Sequence, residues 1–345
     1  MSALLLLLVA QKLGLGLLVG QEVVLQLFLH QMQLLESELG LLSGLLQLLL
    51  KCGRFGHGRQ NSEQRQIRLV LNIQEYRDLD SFRQRLHAEA AGWPEAVQQG
   101  IRSLAISGIL DPFSDQPIPP DHLVVDGPNL RETIEANGLN SRQRAQLLVL
   151  RRLIEAGELP PLESLRLYVS EAVTPFAKWL RARVPRLRCS EYLPEPDHWL
   201  RGRVPNRDIR RIGLPPAALQ CVICNEVLEH VEELEKALAG LAEVLNLGGY
   251  LLATVPFAYG RYEHVIKARW RGEGVEPELL GEAEWHGDPV HPQRGSLVYQ
   301  IPGWELLDQL RAAGFRDAAL HAVSSTTYGV LGQELPIVFV LVAKR

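Results

Sequence analysis

The chain has 345 residues, 46% of them apolar, enough for one large folded domain or two moderate ones. A formal charge of -4 and a sequence pI near 6.2 argue against nucleic-acid binding, which shows as a basic excess. Four cysteines in this length build no disulfide framework, so a reducing, cytoplasmic setting is expected.

Residues 1–50 are nearly half leucine. No basic flank and no small-residue cleavage site mark a secretory signal. The window 3–20 is interrupted by Lys12 and by glycines and glutamines, which makes it a poor membrane span. From Leu25 the pattern sharpens: Leu25, Phe28, Met32, Leu35, Leu39, Leu42, Leu46 and Leu49 recur three and four apart. That is the seam of an amphipathic helix, whose face needs a cover. That face is expected to be covered by the chain's own domain, by a partner or second copy, or by a membrane surface. A second reading places the natural start downstream of this segment.

Residues 51–157 read as a mostly helical accessory region. KCGRFGHGRQN (51–61) is a break, and IRLVLNI (67–73) is expected as a strand. LDSFRQRLHAEAA and PEAVQQGIRSLA carry helical spacing. Residues 111–129, rich in proline and aspartate, are turns around a short strand at LVV. Asn140-Ser141 then caps a helix over SRQRAQLLVLRRLIEAG, closed by Gly157.

From 158 to 345 apolar runs alternate with helical stretches. LRLYVS, LRCSEYL, a shorter DIRRI, LQCVICNEV and YLLATVPF read as strands, and ALHAVSS and PIVFVLVAK close the series. The order predicts an α/β domain with a largely parallel sheet, helices on both faces and an antiparallel last strand. Cys221 and Cys224 form a C-x-x-C, but inside the apolar run LQCVIC, so they are expected as buried strand residues. No metal is expected.

The stretch CVICNEVLEHVEELEKALAGLAEVLNLGGYLLATVPF carries the chemistry. Its Asn225, Glu226, Glu229, His230 and Val231, with Leu247-Gly248-Gly249 after the helix, resemble the core of class I S-adenosylmethionine-dependent methyltransferases of the type 11 kind. Downstream, His286, Gly287, Asp288, Pro289, Gly303, Trp304, Gly314 and Phe315 are similar to a subgroup of that family often encoded beside sugar-modifying enzymes. DGPNLRETIEANGLNSRQRA (126–145) looks like that subgroup's lead-in. The resemblance covers roughly residues 110–345 and implies a Rossmann-like seven-stranded methyltransferase sheet.

It also implies S-adenosylmethionine as cofactor. The turn Ser170-Glu171-Ala172-Val173-Thr174-Pro175 stands where such folds usually hold glycines. S-adenosylmethionine has no phosphate, so its demands are acceptors for ribose hydroxyls, a partner for adenine and carboxylates for its cationic end. By the resemblance, Glu191 meets the ribose and Asp208 the adenine amino group. Ser170 and Glu171 lie at the first strand's end, where Glu171 could hold the methionine ammonium, and Asn225 and Glu226 lie at a strand's carboxyl end, where open α/β sheets bind ligands. Thr174-Pro175 also reads as an ordinary helix cap with proline in the first turn. His286, in the insert after the fifth strand, is the candidate base for the acceptor proton, with Asp288 as its orienter. The expected activity is methyl transfer to an oxygen or nitrogen of a small-molecule or glycan acceptor. The alternative is a non-catalytic module of the same fold that acts by docking a partner.

Overall fold

The computed structural model describes residues 71–345 except 196–197, 273 and 333. The leucine seam at 25–49, the break at 51–61 and most of the strand expected at 67–73 lie outside the described residues.

Seven strands form one sheet among the described residues: β1 (Asn72–Tyr76), β2 (Leu167–Val169), β3 (Leu187–Cys189), β4 (Leu219–Asn225), β5 (Leu245–Thr254), β6 (Asp317–Ser324) and β7 (Val338–Lys344). Their order across the sheet is β1-β6-β7-β5-β4-β2-β3. β3, β2, β4 and β5 run parallel, and β7 lies antiparallel between β5 and β6. β1 adds antiparallel to β6, with Glu75 opposite His321. The expected strand at DIRRI does not form. Only isolated bridges tie Glu191 to Asn206 and Asp208 to Arg211, because Asp208 turns back onto its own segment and binds Arg210. The seventh strand is therefore β1, at the opposite edge.

Period-two alternation puts each strand's side chains on two faces. Tyr168, Val222, Cys224, Leu251, Ala253, Leu320 and Leu341 face one layer, built from α1 (Leu79–Glu89), α5 (Leu234–Val244) and α6 (Glu305–Ala312). Leu167, Val169, Cys221, Ile223, Leu252 and Val340 face the other, built from α3 (Ser141–Glu155) and α4 (Pro175–Arg181). Between α1 and α3 lies α2 (Trp93–Ser107), whose Val97 and Leu104 pack on a smaller cluster with Leu331. Cys221 and Cys224 are fully buried strand residues, and burial pushes the Cys224 thiol up to about 12.

The helix starts follow from their caps. Asn140 and Gln143 form a reciprocal capping box at α3, and Thr174 accepts from the Ala177 amide with Pro175 in the first turn of α4. Gly240 of α5 is required by close approach: a Cβ there would lie 2.4 Å from the Ile209 carbonyl oxygen. That contact seats the helix against the segment carrying Asp208. Gly248 takes a φ of 81°, and the helix ends at Val244, so the glycine pair lies inside β5 rather than ahead of it.

Between β5 and α6 the insert is built of two-residue ladders. Val265–Ile266 pairs with Gln300–Ile301, Ala268–Arg269 with Glu278–Leu279, and Trp285–His286 with Ser296–Leu297. No helix among the described residues is long and apolar enough to cross a membrane.

Candidate functional site

The carboxyl ends of β2, β3 and β4 open on one cleft of about 1240 Å³. Small-molecule sites usually hold roughly 300–1,000 Å³, so this one has room for two small molecules together. Ser170, Glu171, Glu191, Asp208, Asn225, Glu226, His286 and Asp288 all line it.

A hydrogen-bonded chain connects the strand tips. Glu191, at the end of β3, accepts at one oxygen from the amides of Ala172 (2.5 Å) and Val173 (2.9 Å). A side chain thus fills the turn's backbone donors, the job a bound anion does in a glycine-rich loop. Its second oxygen has no protein partner among the described residues. Next along, Glu171 accepts from Thr174 Oγ1 and, at 3.1 Å, from Asn225 Nδ2. Asn225 Oδ1 in turn accepts from Gln146 Nε2 at 2.7 Å and Thr254 Oγ1 at 3.2 Å, which fixes the amide's orientation. Burial raises the carboxyls of both Glu171 and Glu191 above the ordinary range, each partly offset by these donors.

Two expected ligand residues are engaged by arginines. Asp208 Oδ2 accepts from Arg210 Nε at 2.9 Å and Nη2 at 2.7 Å, its Oδ1 accepts from the same Nε at 3.1 Å, and Arg210 continues to Glu232 at 3.0 Å. Glu226 sits at a φ of 49° and takes Arg131 on both oxygens, at 2.6 and 3.1 Å. Burial alone would raise its carboxyl, but Arg131 and Arg142 outweigh that and hold it at about 2. Arg142 is buried and bridges Glu132 to Thr254. The sequence reading missed this network, although Arg131, Glu132 and Arg142 all lie in the 126–145 stretch it had singled out.

On the acceptor side the expected pairing of His286 with Asp288 is corrected. Asp288 accepts from the amides of Val290 and His291 and from Ser296 Oγ, closing its own turn. The carboxylate beside His286 Nε2 is instead Glu284, at 3.2 Å, itself paired with Lys267 at 2.8 Å. The other ring nitrogen of His286 faces Glu229, a fully buried residue of the motif that resembles the methyltransferase core. Gly295 holds this hairpin closed: its φ is 72°, and a Cβ would stand 2.4 Å from the His286 carbonyl oxygen.

A family model described as "Methyltransferase domain" matches residues 176–253, from α4 through β4 and into β5. A search of curated proteins gave no match. Among solved structures, an S-adenosylmethionine-dependent methyltransferase from Mesorhizobium loti is similar at 14% identity and a TM-score of 0.37, over 58% of this chain and 98% of that one. A Burkholderia thailandensis 1,6-didemethyltoxoflavin-N1-methyltransferase, solved with its acceptor and S-adenosylhomocysteine, is similar at 15% identity and a TM-score of 0.32, over 59% and 78%. The fold assignment rests on the strand order itself.

Proposed function

Because the chain carries a class I methyltransferase domain, we propose that its cleft binds S-adenosylmethionine and that the protein methylates an oxygen or nitrogen of a small-molecule acceptor. The observation that carries this reading is the linked row Glu191, Glu171 and Asn225 at the tips of three adjacent parallel strands, facing one open cleft.

The residues fit a donor that is cationic and lacks phosphate. Glu191 is held rigid by the turn amides through one oxygen, leaving the other to accept from ribose hydroxyls. Glu171 and Ser170 would supply acceptors beside it for the ammonium end, and Asp208, which pairs with Arg210, would meet the adenine amino group; all three line the cleft. When bound, the donor supplies a methyl group made electrophilic by its sulfonium. The chain's task is then to hold the acceptor in line and keep water out, with the Trp285–Leu297 hairpin as the wall on that side. A glycan acceptor rests on the sequence resemblance alone.

Calorimetry of the full chain with S-adenosylhomocysteine tests the donor pocket. Binding is expected, weakened at least about 10-fold by Glu191→Ala, the loss of one charge-assisted hydrogen bond of about 1.5–3 kcal/mol. No binding at millimolar ligand, or the same affinity in the variant, refutes the reading.

A further inference from the structure

Glu229 is fully buried, and neither of its carboxylate oxygens has a hydrogen-bond partner among the described residues. A bare carboxylate in that position is costly unless a cation neutralises it. Two imidazoles face it. His230 Nε2 stands 3.6 Å and His286 Nδ1 3.7 Å from the same oxygen, both too far for a hydrogen bond.

The opposite nitrogens fix what those two atoms are. His230 Nδ1 lies 2.8 Å from the Leu297 carbonyl oxygen, which can only accept, so that nitrogen carries the proton. His286 Nε2 lies 3.2 Å from the Glu284 carboxylate and is the donor there. A neutral ring in either place therefore turns a lone pair toward the buried carboxylate. Three electron-rich atoms thus lie within 4.8 Å of one another beside the cleft. Ligands each about 2.1 Å from an ion stand roughly 3.0–3.4 Å apart, so a small inward adjustment closes this set. Histidines whose second nitrogen donates to a carbonyl or a carboxylate are the usual supports of such sites.

We propose that Glu229, His230 and His286 bind one divalent transition-metal ion. Two imidazoles and one carboxylate suit zinc, manganese, iron(II) or cobalt better than the all-oxygen preference of calcium or magnesium. His230 and His286 line the cleft, so the open coordination positions face it, where a solvent or acceptor oxygen completes the shell. That last step alone rests on the methyltransferase reading. The lone pair of His286 then belongs to the ion, which replaces the role of free base expected from sequence.

The test is titration of the chelator-treated full chain with Co2+, followed by calorimetry and visible absorption. Uptake of one equivalent with ligand-field bands is expected, weakened at least about 100-fold by His286→Asn and about 10-fold by Glu284→Gln. Thermal unfolding of each variant reports folding, and Glu284→Gln, a change at a partly exposed support, decides if His286→Asn fails to fold. No uptake at millimolar Co2+, or uptake unchanged in the folded variants, overturns the site. S-adenosylhomocysteine titrated into the same samples separates the two proposals: donor binding without cobalt binding removes the metal and leaves the donor pocket standing.

Discussion

Arg144 shows how a single residue ties distant chain segments together. Its fully buried guanidinium donates to four backbone carbonyls, those of Ile134, Leu139, Tyr328 and Gly329, at 2.6–2.9 Å. Burial lowers it to about 9, still charged at neutral pH. Arg144→Met leaves those carbonyls without a donor and is expected to destabilise the fold by about 2–4 kcal/mol, read from the denaturation midpoint. The sequence shows Arg144 only as one arginine among many in SRQRAQLLVLRR, because a buried charge is invisible until the fold brings its acceptors together. Glu229 is the same case. Its E-H motif was legible, but not its lack of partners, since those depend on a hairpin more than fifty residues away. The error at Asp288 has a local cause: the aspartate satisfies the amides of Val290 and His291 and pairs with the ring of His291, three residues on, rather than with His286.

Elements were legible where pattern and punctuation agree. The α3 helix was readable from its capping residues and Gly157, β4 and β7 from their continuous apolar runs. Of NIQEY, which forms β1, the strand expected at 67–73 takes in only Asn72 and Ile73; Gln74 and Glu75 are exposed and only Tyr76 is buried, so no apolar pattern marks the rest. DIRRI has strand-like isoleucines, but its charged side chains close on each other, so the segment spends its polarity locally. In the insert, two-residue ladders lie below what periodicity can reveal. There the hairpin depends on Gly295, so Gly295→Ala is expected to cost about 1–3 kcal/mol. Hydrogen exchange should register it locally: the Val298 amide, which donates to the Glu284 carbonyl, loses protection while β4 and β5 amides keep theirs.

Across the whole molecule, β1 joins the sheet edge next to β6 and brings Glu75 within 3.8 Å of His321, which is buried there. Burial drives this histidine down to about 4; Glu75 and Asp317 oppose the shift, while Arg152 and Arg77 add to it. As pH falls from about 6.5 toward 4, the unfolded chain takes up a proton that the folded one refuses, so stability is lost over that window. Denaturation at pH 7 and pH 5 is expected to show about 1–2 kcal/mol less stability at the lower pH from this group, and His321→Gln should flatten the difference. The turn after β2 has a consequence at the same scale. A diphosphate-bridged coenzyme such as a nicotinamide dinucleotide would have to lay negative oxygens where Glu191 already occupies the two amides. Within the donor reading proposed above, the cleft is thus expected to select adenosine-containing coenzymes by the sign of their charge and to disfavour the anionic ones.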